Sequence, residues 1–184
     1  MEIGPGKGII TRFLSSKAGK VIGVEVDDEL VNSLNYIFSK DSNVEIVKGD
    51  FLKWRLPKEK FKVFANIPFN LTTDIVNKLT SDRSALDVAY LIMQDKAVER
   101  FAGKPLASKD QQVSILLKPW FEIRVITKID RREFSPVPKV SAVLALIERR
   151  KIPLIEPQKS QLFKDFVIYG LGVSPLHHQK FPVA

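Results

Sequence analysis

The sequence lacks cysteine entirely and is poor in histidine, with only His177 and His178 among its 184 residues. Disulfides, iron–sulfur clusters and thiolate zinc sites are therefore excluded, and the composition fits a reducing cytoplasm. The two histidines are adjacent, so their side chains diverge, and no acidic residue lies near them in the chain. We therefore expect no metal site.

Long apolar runs are also missing. None approaches the roughly 18 residues that a membrane-spanning helix needs, and residues 1–4 lack the basic and apolar segments of a secretion signal. We therefore expect a cytoplasmic protein without a membrane partner. Its hydrophobic fraction of 45% is ordinary for a globular chain.

Negative charge is in the minority, because 21 acidic residues stand against 29 lysines and arginines, and the net charge is +8. This balance favours a polyanion as partner, either nucleic acid or a membrane surface. Basic residues cluster at Arg131-Arg132 and at Arg149-Arg150-Lys151. Each cluster is either part of such a binding surface or ordinary solvated charge.

Strand and helix patterns alternate along the chain. Apolar runs predict strands over 20–26, 44–47, 61–65, 87–93, 121–129 and 141–147, and helical spacing predicts helices from Asp28, from a cap at Thr72 or Thr73, and over 97–101, 111–117 and 160–171. Alternating units of this kind indicate an α/β fold with a parallel, Rossmann-like sheet. The last two strands have no helix between them, so we expect them to add an antiparallel edge.

The two ends of the chain differ from the middle. Only three residues precede Gly4, so the first strand is nearly missing, and we expect the chain to be a fragment that begins inside it. Prolines at 153 and 157 indicate a linker. We therefore predict a main domain over 1–150, and over 151–184 the linker and the start of a small helical domain.

Four successive strand ends carry residues suited to one ligand. A glycine-rich turn (EIGPGKG, with Gly4 and Gly6) follows the first strand, and Glu25, Asp50 and Asn66 follow the next three. Such a turn lets a ligand approach the backbone, although it also occurs as a purely structural feature. A carboxylate at the position of Glu25 can bind ribose hydroxyls, and one at Asp50 can accept from an adenine amine. The series predicts a site for an adenosine-bearing ligand.

Two other nucleotide signatures are absent or incomplete. The phosphate-binding pattern G-x-x-x-x-G-K-[ST] does not occur, and the turn has glycine at its fifth place where nicotinamide enzymes have it at the sixth. A nicotinamide oxidoreductase remains a weaker alternative. The E-x-G-x-G-x-G form resembles that of methyltransferases that use S-adenosylmethionine.

The tetrapeptide Asn66-Ile67-Pro68-Phe69 ends the third predicted strand and combines a carboxamide, a rigid proline and an aromatic ring. The amide can accept hydrogen bonds from an amine, and Phe69 can stack on a flat ring. The alternative is that Phe69 is a plain core residue. We interpret Trp54 and Trp120 as packing residues rather than as platforms for bases.

The order of EIGPGKG (2–8), GVEVD (23–27), KGDFL (48–52), ANIPFN (65–70) and FSPVPKV (134–140) resembles the rRNA adenine N6-methyltransferases. The resemblance covers about residues 1–150. Within that superfamily, NIPFNLTTDIV (66–76) is more similar to the Erm enzymes, which methylate an adenine of 23S rRNA and confer resistance to macrolides, lincosamides and streptogramin B, than to the housekeeping small-subunit enzymes. The family's Gln-Asn-Phe-like motif before the first strand has no counterpart here, and the tail after Gly172 does not resemble the family.

The resemblance implies roles for individual residues. It implies that S-adenosylmethionine is the cofactor and contacts Gly4, Gly6, Glu25, Asp50 and Asn66. It implies that Asn66 and Phe69 hold the target adenine as the catalytic residues, and that Thr73, Phe134 and Lys139 lie near the RNA or the substrate pocket.

The resemblance implies a monomeric adenine methyltransferase with 23S rRNA as partner. Two alternatives stay open: a housekeeping small-subunit dimethyladenosine transferase, and a non-catalytic remnant or RNA-binding module on the same fold.

Overall fold

Strands and helices alternate through most of the chain. The computed structural model describes residues 1–81, 84–103, 112–134, 137 and 139–170. Within them the strands are β1 (Glu2–Ile3), β2 (Val21–Glu25), β3 (Val44–Lys48), β4 (Phe61–Asn66), β5 (Leu86–Gln94), β6 (Phe121–Ile129) and β7 (Ala142–Arg149). The helices are α1 (Ile9–Ser15), α2 (Asp28–Ile37), α3 (Thr72–Leu79), α4 (Asp95–Ala102), α5 (Gln112–Leu117) and α6 (Ser160–Gly170).

The strands form two hydrogen-bonded groups that Met1 joins. Strands β3, β2 and β1 pair in parallel, and the second group has the order β4-β5-β7-β6. The ammonium of Met1 donates to Lys62 O at 2.8 Å, and Phe64 N donates to Met1 O at 3.1 Å. The strand order across the molecule is therefore β3-β2-β1-β4-β5-β7-β6, and the carboxyl ends of β1 to β5 lie at one edge, called the carboxyl edge below.

The predicted antiparallel pair lies at one end of this sheet. Strand β7 runs antiparallel to both β5 and β6, so it is the strand that reverses direction, and β6 occupies the outer position. The α/β, Rossmann-like fold predicted from the sequence is confirmed. The β7 residues Val143, Ala145 and Ile147 project from one face of the sheet and are fully buried in the core.

Local sequence explains how the helices begin, with one correction. Asp27 caps α2 as its carboxylate accepts from Leu30 N at 3.0 Å. The prediction that Thr72 or Thr73 caps α3 is wrong, because Leu71 is the N-cap residue and no side chain caps this helix. A 3-10 turn over Phe69–Leu71 leads directly into α3, and the Thr72 hydroxyl donates to Phe69 O at 3.0 Å.

The core lies between the sheet and its helices and includes the last helix. Val167 of α6 is buried in the same apolar cluster as Leu116, Leu117 and Trp120. Gln111 and Leu171, at the ends of two predicted helices, lie outside the described residues. In the part of the chain that the structure describes, no helix is both long and apolar enough to cross a membrane.

Candidate active site

The glycine-rich turn after β1 presents its backbone to open space. Gly4 and Gly6 have φ angles of 63° and 59°, a left-handed conformation that favours glycine. A Cβ atom built on either residue would meet no other atom within 4 Å. A ligand can therefore approach the main chain closely here, which fits the predicted role in holding a cofactor.

Two further glycines seat this turn on its neighbours. A Cβ on Gly23 of β2 would lie 2.8 Å from Pro5 Cγ, and a Cβ on Gly8 would lie 2.9 Å from Leu34 Cδ2. Gly8 also has a φ of 77° and is the N-cap residue of α1. The turn thus packs on β2 through Pro5 and on α2 through Gly8. The motif alone did not predict these contacts.

Glu25 lies against the glycine-rich turn. Its carboxylate accepts from Gly6 N at 3.1 Å, from Val26 N at 2.8 Å and from Asp27 N at 3.2 Å. A carboxylate has about four lone-pair positions, so three are used by the chain itself. The position left for a ribose hydroxyl is on Oε2, which accepts from Gly6 N, because Oε1 already accepts from both Val26 N and Asp27 N.

Asp50 follows β3 and lies close to the end of β2. Gly49 N donates to Glu25 O at 2.7 Å, which joins the two strand ends. One carboxylate oxygen of Asp50 accepts from Leu52 N at 2.9 Å, and the residue is half-buried. The structure therefore brings Gly6, Glu25 and Asp50 to neighbouring positions on the carboxyl edge.

Asn66 is the last residue of β4 and is exposed at the same edge. Its register partner on β5 is Ile92, and Ile67 N donates to Ile92 O at 3.2 Å. Ile67 is buried and anchors the tetrapeptide, whereas Phe69 is half-buried and is not a member of the core cluster. The alternative that Phe69 is a plain core residue is therefore not supported.

The remaining predicted site residues lie on two segments. Thr73 is half-buried in the first turn of α3, and Phe134 and Lys139 lie in the β6–β7 connection. That connection starts and ends at the carboxyl edge, because Ala142 pairs with Gln94 and with Ile129. In the described part of the chain, no hydrogen bond links these three residues to Asn66; residues 135, 136 and 138 lie outside it.

The basic clusters have different surroundings. The Arg132 guanidinium binds both carboxylate oxygens of Asp130, which holds the pKa of that exposed carboxyl below its usual range. Arg149 instead donates to Ser84 O and Leu86 O, both at 2.9 Å, and lies 4.7 Å from the centre of the Phe121 ring. Arg149 therefore makes contacts within the protein. The sequence predicts either a binding surface or solvated charge for this cluster.

Glu2 and Lys78 are two polar residues to which the sequence assigned no role, although Glu2 is the first residue of the EIGPGKG motif. Glu2, on β1, is buried and accepts from the Thr11 hydroxyl at 2.7 Å. Burial raises the pKa of Glu2 to about 7. Its available signal was an acidic residue inside an apolar strand. For Lys78, the only signal in the sequence was its place three residues after Ile75, which puts a lysine next to the apolar face of α3.

Trp120 is buried, which confirms its assignment as a packing residue, and Trp54 is half-buried against the core. Among the described residues, no three His, Cys, Asp or Glu side chains are grouped so that they could hold a metal ion. His177 and His178 lie outside the described residues.

A Rossmann-like sheet with a glycine-rich turn after β1 and acidic residues at the next strand ends defines the class of nucleotide-cofactor domains. More specifically, the chain belongs to the ribosomal RNA adenine dimethylase family, whose pattern it matches over residues 1–170. This agrees with the resemblance drawn from the motifs.

Relatives come from both branches of this family. The chain is 36% identical over 172 residues to an rRNA adenine N-6-methyltransferase of Bacillus licheniformis, an alignment that covers 93% of this chain and 59% of that protein. It is 35% identical over 152 residues to ribosomal RNA small subunit methyltransferase A of Mycoplasmopsis pulmonis, covering 82% of this chain and 60% of that protein. The chain thus spans about three fifths of the length of these relatives.

Solved structures show the same architecture. The 23S rRNA methyltransferase ErmE superposes with a TM-score of 0.81 at 31% identity, covering 90% of this chain and 67% of that one. A dimethyladenosine transferase from Plasmodium falciparum superposes with a TM-score of 0.73 at 26% identity, covering 88% and 56%.

Proposed function

We propose that this protein is an rRNA adenine N6-methyltransferase that uses S-adenosylmethionine. The observation that carries the proposal is the convergence of Gly6, Glu25, Asp50 and Asn66 on one edge of the sheet, within a chain of the adenine dimethylase family. Since the chain spans only part of the length of its relatives, the activity of the whole enzyme belongs to the proposal.

The cofactor would lie along the carboxyl edge. The open backbone at Gly4 and Gly6 would receive its methionine end, Glu25 its ribose, and Asp50 its adenine amine. When bound, S-adenosylmethionine supplies a methyl group on a sulfonium centre. The residues of this chain would position that methyl group for the target amine and keep other nucleophiles away from it.

The target adenine would be held by Asn66 and Phe69. The N6 amine is a poor nucleophile because its lone pair is delocalised into the ring. Hydrogen bonds from its two N–H groups to Asn66 Oδ1 and to a main-chain carbonyl near Ile67 would favour a pyramidal nitrogen with an available lone pair. Stacking on Phe69 would offset part of the cost of taking the base out of its helix, a few kcal/mol.

We propose 23S rRNA as the substrate, with resistance to macrolide, lincosamide and streptogramin B antibiotics as the consequence. The similarity to ErmE supports this choice. Small-subunit rRNA is the second candidate, because the Mycoplasmopsis relative is nearly as similar. In either case we propose a monomer acting in the cytoplasm, with Thr73, Phe134 and Lys139 near the RNA.

The test is a pair of measurements on the 184-residue chain. Calorimetric titration with S-adenosylmethionine, with a nicotinamide dinucleotide as control, tests the cofactor. Transfer of labelled methyl groups to protein-free 23S rRNA and to small-subunit particles tests the substrate.

Labelling of the large-subunit RNA alone is expected. Labelling of the small-subunit particle alone would assign the second candidate. Cofactor binding without transfer to either substrate would identify a non-catalytic remnant, and absence of cofactor binding would overturn the proposal as a whole.

A further inference from the structure

The ammonium of Lys78 is enclosed by three main-chain carbonyl groups. Lys78 Nζ donates to Phe51 O at 2.6 Å, to Leu52 O at 2.9 Å and also to Trp54 O. We call these three acceptors the carbonyl cage. Because an ammonium has three donors, the cage uses all of them. The same nitrogen lies 5.0 Å from the centre of the Phe51 ring, within the range of a cation–π contact.

The cage belongs to the segment that carries Asp50. Lys53 N and Trp54 N donate to Asp50 O at 3.0 and 2.9 Å, and Leu52 N donates to the Asp50 carboxylate. Residues 50–54, called the Asp50 turn below, thus wind their N–H groups around Asp50 and direct three carbonyls to Lys78. The orientation of the Asp50 side chain depends on this turn.

Lys78 itself belongs to the segment that carries the tetrapeptide. It lies in the last turn of α3, and α3 continues directly from the 3-10 turn that starts at Phe69. Buried residues of α3, Ile75, Val76 and Leu79, fix the helix in the core. The ammonium therefore ties the Asp50 turn to α3, the helix that follows the tetrapeptide in the chain.

We propose that Lys78 is a positioning residue that sets the Asp50 turn, and through it the affinity for the adenosine end of the cofactor. This inference rests on the proposed function, since it assigns Asp50 to the cofactor. Lys78 does not touch the reacting atoms. It acts through the main chain of residues 51–54.

The chemistry of the cage explains why a lysine occupies this position. A neutral side chain without donors would leave Leu52 O and Trp54 O without the donor that they have here, whereas Phe51 O would still accept from Trp54 N at 3.2 Å. Leaving partly buried carbonyls without donors is unfavourable. A guanidinium is planar and extends further, so its donors do not converge on a point as those of an ammonium do. Burial lowers the pKa of Lys78, whereas the Asp50 carboxylate acts against that change.

A general stabilising role is the competing explanation, and three variants of the full chain separate the two. Lys78→Met removes the ammonium, and Lys78→Gln keeps two N–H donors without the charge. Thr80→Val is the matched control, because Thr80 is a buried neighbour whose hydroxyl donates to Val76 O within α3 and not to the Asp50 turn.

Each variant is titrated calorimetrically with S-adenosylmethionine, and its thermal midpoint is measured in parallel. We expect Lys78→Met to weaken cofactor binding about 10-fold or more, as expected for lost charged hydrogen bonds, and Lys78→Gln to fall between Met and Lys. Thr80→Val should lower the thermal midpoint and leave the affinity within about 2-fold, since it leaves the cage intact.

The absence of cysteine from the chain allows a chemical rescue at a single site. Lys78→Cys alkylated with 2-bromoethylamine carries a side chain nearly identical to lysine. The same protein alkylated with iodoacetamide carries a neutral amide. The aminoethyl adduct should recover the affinity to within about 3-fold of the parent, and the neutral adduct should not, because only the ammonium fills the cage with three donors.

Two results would overturn the positioning role. One is an affinity of Lys78→Met that matches the parent or that changes only as much as in Thr80→Val. The other is equal recovery by the two adducts, which also decides the question if Lys78→Met does not fold. If the parent chain binds no S-adenosylmethionine, the proposed function fails first and this inference falls with it.

Discussion

Glu2 is a buried carboxyl group whose surroundings disfavour its charged form. Its side chain is 1% exposed, and burial is the main reason that its pKa is raised from 4.5 to about 7. The nearby Glu25 carboxylate raises it further, while the Thr11 hydroxyl and the Met1 ammonium act in the opposite direction. This residue therefore titrates near neutral pH, and it lies on β1, the strand that leads into the glycine-rich turn.

The raised pKa predicts how stability changes with pH. The folded protein holds the Glu2 proton more tightly than the unfolded chain, so the stabilisation is fully present below pH 4.5 and is lost as the pH rises through about 7. Between pH 5 and 8, the unfolding free energy of the parent should fall by about 2 kcal/mol more than that of Glu2→Gln. Urea unfolding of both proteins at each pH measures this difference. Parallel declines would contradict the assignment.

Asn66 is predicted to be required for methyl transfer and dispensable for RNA binding. Asn66→Ala removes the carboxamide that would accept from the target amine, so transfer should fall about 100-fold or more. RNA affinity, measured by filter binding, should stay within about 2-fold because most of it comes from phosphate contacts.

Asn35→Ala is the matched control for this substitution, because Asn35 is exposed on α2. It should leave both quantities unchanged. Turnover of Asn66→Ala at the parent rate would remove Asn66 from the catalytic role.

At the scale of elements, the glycine-rich turn depends on how β2 supports it. Pro5 packs on Gly23, where an added methyl group would lie 2.8 Å from Pro5 Cγ and 3.1 Å from Ile46 Cδ1. Pro5 cannot move freely, because it is a buried, rigid ring inside the turn, whereas Ile46 Cδ1 is the end of a flexible, half-buried side chain. The position of the turn is thus set by the absence of a side chain on the adjacent strand.

Gly23→Ala should therefore displace the turn. We expect a loss of about 1–3 kcal/mol in unfolding free energy from overpacking, together with weaker binding of S-adenosylmethionine. Gly19→Ala is the control, because a Cβ there meets no atom within 4 Å. Calorimetric titration of both variants measures the effect. Equal cofactor affinities in the two would show that the turn does not depend on Gly23.

At the same scale, the extent of each strand could be predicted and its place in the sheet could not. The runs over 61–65 and 121–129 correspond closely to β4 and β6, because both are rich in the β-branched and aromatic residues that strands favour, even though β6 is largely exposed. Nothing in the run over 141–147 shows that β7 lies between β5 and β6. That placement is decided by pairing between residues far apart in the chain, such as Ala89 with Ile147.

At the scale of the whole molecule, α6 contributes to the core of the sheet. Val167 is 5% exposed and belongs to the same cluster as the sheet residues Val143 and Ile147. The division at residue 150 into two domains remains a proposal. The shared cluster indicates that at least α6 unfolds together with the sheet.

Val167→Ala should therefore destabilise the whole protein. We expect a loss of about 1–2 kcal/mol in a single unfolding transition, as for other truncations of buried side chains. Phe166→Ala is the control, because Phe166 is 73% exposed on the same helix. Tryptophan fluorescence reports the transition, because Trp120 is buried in this cluster and Trp54 packs against it. A separate early transition in Val167→Ala would instead show that α6 is an independent unit.

The sequence by itself determined the class of fold and the candidate cofactor residues that lie along one edge of the sheet. Gly6, Glu25, Asp50 and Asn66 could be predicted because each lies at or just after the end of a strand, and the carboxyl ends of parallel strands meet at one edge. Only the tertiary structure decided which residues support them. Glu2 is buried, and a Cβ added on Gly23 would lie 2.8 Å from Pro5 Cγ. Lys78 donates to three main-chain carbonyls. These are properties of neighbours distant in the chain, which no local pattern encodes.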